Sequence, residues 1–286
     1  MPLSKLLYLL VLVTLTLPVQ ANEQSVYWEI TSPTGITHFL FGTIHTDDNR
    51  VSDFHPEVLR GLKSSNTFLM ETDEIQDRSV LFGNKSFYEK FLDEDDVDQV
   101  KELAYFHTIP LETILKMKPW LVAIIFNSPR PITPFNQDNL LKRKAEDSLM
   151  VVQGLETVPE HFGVLDTFHI DEQIEMLKTV LNRNSDIKEK DYEVLMSAYL
   201  TFNPETILHT DELITSNLVS EKMWEKMKEK LIYARNQLFF DRIMSLANGN
   251  NLFIAVGASH LGGGNGLLNL FREAGYRLKP LPPLAQ

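Results

Sequence analysis

Four short apolar runs constrain this chain most, because each one leads into a residue that can do chemistry. The first, His38–His45, reads HFLFGTIH. Thr67-Phe-Leu-Met runs into Glu71, and Leu149-Met-Val-Val-Gln-Gly154 leads to Leu155-Glu156. Leu252-Phe-Ile-Ala-Val256 continues into Gly257-Ala-Ser-His260. Apolar runs this short, with little alternation, suit parallel strands covered on both faces. Tyr27–Ile30 reads as an additional strand, joined to the first by the turn Ser32-Pro-Thr-Gly35.

The intervening segments have helical spacing. Phe87–Phe106 is acidic and amphipathic, and in Leu111–Asn127 the Lys118-Pro-Trp120 step restarts a helix at its first turn. Pro159–Leu165, Ile170–Asn182, Asp191–Leu200 and Glu205–Val219 follow. Glu221–Ala247 is the longest, with Met223, Trp224, Met227, Leu231, Ala234, Leu238 and Ile243 near one stripe. Strands separated by helices predict an α/β fold. The expected architecture is a central, mostly parallel sheet with surrounding helices. A helical insert, approximately 87–248, lies over the C-terminal strand edge.

The first 21 residues stand apart. Lys5, the run LLYLLVLVTLTL and the small residues before Asn22 describe a cleavable signal peptide. The run falls short of the roughly 20 apolar residues of a spanning helix. The expected mature domain is therefore 22–286, periplasmic or secreted, with no stable membrane span after cleavage. With no cysteine in the chain, an exported protein must draw its stability from its core, and thiolate chemistry is excluded. Acidic residues outnumber Lys and Arg by 39 to 27, a net charge of −12. That balance argues against nucleic acid or an anionic membrane surface as partner.

His45, Glu71, Glu156 and His260 each lie at or just past the C-terminal end of a candidate strand. In a parallel sheet those ends share one edge, and ligands bind there. A single Gly-x-x-His is a weak pattern, but two, each after an apolar run, suggest one shared site. Two imidazoles with one or two carboxylates suit Mn²⁺, Zn²⁺, Co²⁺ or Fe²⁺. Gly42 and Gly257 would allow a sharp turn or close approach before each histidine. His38, His55, His107, His161, His169 and His209 lack such a setting and read as surface or helix residues. Asp93-Glu-Asp-Asp96 lacks EF-hand spacing and reads as a solvated helix start. Gly262-Gly-Gly264 lacks a P-loop lysine and could serve a loop covering the site.

FLFGTIH, ETD at Glu71, GLET at Gly154–Thr157 and VGASHLGGGNGLLNLFREAGYRLKPL together resemble the TraB/GumN family, which includes the Tiki metalloproteases. The resemblance spans nearly all of 22–286, and Lys118-Pro-Trp120 and Tyr233-Ala-Arg-Asn236 also look like family positions. Many relatives carry Ala or Gly and then Pro around the second motif, where this chain has Ala258-Ser259 and Gly262-Gly-Gly264. That departure alters the covering loop and leaves the metal ligands in place. The resemblance implies a fold like that of erythromycin esterases and haem-binding ChaN proteins. It also implies a metal-dependent hydrolase, foremost a peptidase, acting on a peptide or other small hydrolysable substrate. His45, His260 and Glu71 would be metal ligands, and Glu71 or Glu156 the proton acceptor. Arg235 or Asn236 would stabilise the oxyanion. Two other readings remain open. One is a metal-free His–Glu hydrolase of the esterase kind. The other is a non-catalytic protein that binds a peptide, haem or a polysaccharide intermediate.

Overall fold

The computed structural model describes residues 24–72, 75–83 and 86–285. The signal-peptide segment lies outside the described residues. Six strands form one sheet: β1 (Tyr27–Thr31), β2 (Thr37–Thr43), β3 (Thr67–Thr72), β4 (Val151–Glu156), β5 (Leu252–Gly257) and β6 (Arg277–Leu281). Their order is β4-β3-β5-β2-β1-β6. β4, β3, β5 and β2 run parallel, and β1 is antiparallel to β2 and β6. The fold is α/β, a mostly parallel sheet surrounded by helices.

The strand positions follow from their chemistry. β5 lies inside the sheet, and every residue from Leu252 to Val256 is buried. The β1–β2 hairpin closes where Gly35 takes φ +91°, a left-handed conformation that glycine adopts freely. β6 is absent from the strands expected above. Arg277-Leu-Lys-Pro-Leu281 alternates polar and apolar residues, and Pro280 cannot donate to a ladder. Both features are tolerated because β6 is an edge strand.

Burial falls into two hydrophobic clusters. The first surrounds the sheet, where the Phe253 ring stands 6.0 Å from both Phe68 and Tyr27. The second contains no strand residue and is built from helices and the turns between them. It gathers Tyr88, Val100, Val122, Phe126, Leu177, Val180, Met223 and Met227. The helices Glu221–Lys228 and Ala234–Leu246 run between the clusters, joined by a π-helical turn at Glu229–Tyr233. Pro119 begins the helix Pro119–Asn127, as its position predicts.

Several histidines depart from the surface reading. His38 is 1% exposed, and its Nδ1 accepts a hydrogen bond from the Leu252 amide at 3.3 Å. It starts a central strand on the face that buries Leu40, so alternation carries it inward. His107 is also buried, stacked on Phe126 at 5.7 Å. His55 and His169 do lie at helix starts, where each ring caps a backbone amide. The Asp93 segment is a helix N-terminus with a reciprocal capping box to Asp96.

Candidate functional site

The two Gly-x-x-His motifs become neighbours because their strands pair. Gly42 lies opposite Val256, and Thr43 opposite Gly257. Neither glycine has a positive φ. Their service is close approach. A Cβ on Gly42 would stand 3.0 Å from Ala258 Cα and 3.0 Å from a Leu261 methyl. The first motif thus makes room for the short 3₁₀ turn, Ala258–His260, that presents the second histidine. A Cβ on Gly257 would come within 3.1 Å of Glu71 Oε1.

At that sheet edge, Arg235 gathers most of the expected residues. Its Nε donates to both Glu156 oxygens at 3.1 Å. Its Nη2 donates to Glu71 Oε2 at 2.7 Å and Glu156 Oε2 at 2.9 Å. Nη1 lies 3.3 Å from His260 Nε2. The guanidinium also sits 4.9 Å over the Phe239 ring. Glu71 Oε1 accepts from the Gly257 amide at 2.7 Å. Asn236 Oδ1 is 2.6 Å from His260 Nδ1, and the Asn236 amide nitrogen donates to the Asn265 carbonyl at 2.9 Å. With its oxygen turned to the ring, Asn236 accepts the proton of Nδ1. His260 Nε2 therefore carries the lone pair, facing Arg235. Consecutive residues Arg235 and Asn236 both point into the site just past the π turn, a deformation often found at functional positions.

The charges are unequal: two carboxylates surround one guanidinium. Burial would raise the Glu71 carboxyl, but Arg235, His260 and the Gly257 amide outweigh it and hold it well below the usual range. Burial also opposes ionisation of Glu156, and His161 and Arg235 overcome it, lowering its pKa. Both are weakly basic carboxylates. His260 is pushed down to about 4, chiefly by burial, so its ring is neutral near pH 7.

His161 belongs to this cluster, although the sequence placed it outside. Its Nδ1 lies 3.1 Å from Glu156 Oε2 and 3.1 Å from Arg235 Nη2. The capping box of Thr157 and Glu160 starts the helix Val158–Asp166 directly after β4 and turns His161 back. A histidine five positions after a strand-end glutamate is the signal that could have found it.

His45 stands at the rim. Its side chain is 83% exposed, and its Nδ1 is 3.4 Å from Asp138 Oδ2. The Asn136 amide nitrogen lies 3.1 Å and 3.0 Å from the two ring nitrogens. Asp138 raises the His45 pKa. The structure thus brings together Glu71, Glu156, Arg235, Asn236 and His260, while His45 makes its contacts with Asn136 and Asp138. Asn136 and Asp138 were not expected from the sequence.

A family model for TraB/PrgY/gumN matches residues 26–280. The chain belongs to the TraB/PrgY/gumN family. One curated relative is the protein named Metalloprotease TIKI2 of Danio rerio, 21% identical over an alignment covering 92% of this chain. The chain spans 62% of that relative's length.

The TraB-family resemblance raised a divalent ion held by His45, His260 and Glu71. As arranged, these residues do not fit one. His260 Nε2 and Glu71 Oε1 lie 3.7 Å apart, which two ligands of one ion can do. Arg235, however, is bonded to the same carboxylate and faces the same lone pair. His45 turns instead toward Asn136 and Asp138. Among the described residues, no group of three or more His, Cys, Asp or Glu side chains is disposed to hold an ion.

Proposed function

We propose that the protein is a hydrolase of a carbonyl-centred bond, with a peptide bond as the foremost substrate. The observation that carries this reading is the Arg235 cluster, built at the same C-terminal edge of the parallel strands that leads to the exposed His45. An accessible basic nitrogen and a preorganised positive charge at one sheet edge are groups that hydrolysis by water uses. His45, the accessible and more basic imidazole, takes the proton of the attacking water. Arg235 sets its positive charge beside the oxygen on which negative charge develops, its N–H groups being already bonded to Glu156, Glu71, His260 and the Leu231 carbonyl. Glu156 and His161 hold the guanidinium, and His260 with Asn236 supports its other nitrogen. Glu71 is 22% exposed, so it is the carboxylate that solvent and substrate reach. It orients the water or the substrate amide, since its lowered pKa makes it a poor proton acceptor.

No step is assigned to a metal ion, and dependence on one is read from the test. The reading extends to an exported protein on the sequence of residues 1–21. Among the described residues, no helix is long and apolar enough to cross a membrane.

The test uses residues 22–286 and a peptide library read by mass spectrometry. It is run with chelator and with added Mn²⁺, Co²⁺ or Zn²⁺. Cleavage is expected in the wild type and should fall at least about a hundredfold in His45→Ala and Arg235→Lys. Both variants are first checked for folding. Absence of turnover under every condition would overturn the hydrolase reading and favour the binding-protein reading. Turnover found only with added metal would overturn the metal-free assignment of roles while keeping the hydrolase.

A further inference from the structure

The N-cap Asn136 and the first two residues of the helix Gln137–Asp147 all reach the strand end bearing His45. Gln137 is buried. Its Oε1 accepts from the Ile44 amide at 2.8 Å and from the Tyr199 hydroxyl at 2.9 Å. Its amide donates to the Val51 carbonyl at 2.8 Å. Tyr199 lies 2.8 Å from the Gly42 carbonyl as well. This first turn is therefore bolted to the first Gly-x-x-His motif by its backbone, and its position does not depend on His45.

Asp138, the next residue, is carried to His45 by that anchor. One carboxylate oxygen, Oδ1, accepts from the Thr43 hydroxyl at 2.7 Å. The other, Oδ2, is buried and has no hydrogen-bond partner among the described residues. A buried carboxylate oxygen without a donor is costly, so its surroundings show what it is built to receive. The donor group beside it is His45 Nδ1, at 3.4 Å, which a small rotation of the exposed ring brings into hydrogen-bond range. Asn136 does not compete. Its amide nitrogen is almost equidistant from both ring nitrogens and selects neither.

We propose that Asp138 is a positioning residue for His45. It accepts the Nδ1–H hydrogen bond, holds the ring in that tautomer and leaves the lone pair on Nε2, beside the Asn136 amide. A carboxylate that fixes an imidazole tautomer sets which nitrogen can act, and such partners commonly matter 10- to 100-fold to function. The inference rests on the reading that His45 works at this site, but the tautomer itself needs no substrate.

The experiment is long-range ¹H–¹⁵N correlation NMR of histidine-labelled protein, at a pH where the ring is neutral. His45 is assigned by its loss in His45→Gln. The wild type is expected to show Nδ1–H at His45. Asp138→Asn should shift His45 toward the Nε2–H tautomer and leave the His260 signal in place. A wild-type ring protonated on Nε2 would overturn the proposal without any variant, so it stays testable even if Asp138→Asn misfolds. An unchanged tautomer in folded Asp138→Asn overturns it too. If peptide cleavage is found, Asp138→Asn should lower kcat about 10- to 100-fold with KM little changed, and Asp138→Glu should recover part of the loss. Loss in KM alone would also contradict the assignment. An absence of turnover combined with the expected tautomer would sink the hydrolase reading and leave Asp138 in its role.

Discussion

Arg235 answers for two carboxylates at once, and one of them, Glu156, is almost entirely buried. Removing the guanidinium leaves both anions without their main counter-charge in a poorly hydrated place. Arg235→Met should therefore destabilise the fold by about 3–5 kcal/mol, measured by chemical denaturation. Little or no loss would mean that the carboxylates are protonated or rehydrated. His38 supports a second residue-scale expectation. Burial lowers its pKa from 6.5 to about 4, so between those values the unfolded chain takes up the proton first. Stability is full above the unfolded value and falls as pH drops toward 4. His38→Gln should lose about 1–2 kcal/mol less than the wild type between roughly pH 7 and pH 5. Parallel losses would assign the acid sensitivity elsewhere, with His107 the next residue to test because its pKa is also lowered to about 4.

Among the elements, β2 and β5 matter most, because their pairing puts one motif on the other. Gly42→Ala places a methyl 3.0 Å from the backbone of Ala258, the residue directly after β5. The expected cost is about 1–3 kcal/mol, seen as a lowered Tm. An unchanged Tm would show that the Ala258–His260 turn is free to shift. The sequence made this edge readable, since a parallel strand is an apolar run and its end is where the run stops. His45, Glu71, Glu156 and His260 could be found that way. Asn136, Gln137 and Asp138 could not. They form an ordinary helix start 91 residues or more after His45, and their partners are set by tertiary packing alone. β6 escaped notice because edge strands need not be apolar. His161 escaped because its return toward Glu156 depends on a helix cap.

At the scale of the whole molecule, the two clusters are linked through the helices spanning Glu221–Leu246. Met223 and Met227 lie in the helical cluster, Phe239 and Ile243 in the cluster around the sheet, and Arg235 sits between them. The second cluster contains none of the residues assigned to the chemistry. It nevertheless holds one end of the rod on which the site's cation is mounted. Phe126, Leu177 and Met223 are therefore part of what fixes the helix that carries Arg235. In this fold a substitution far from every residue of the candidate site reaches Arg235 along its own helix, so stability and the geometry of the site are not separate properties.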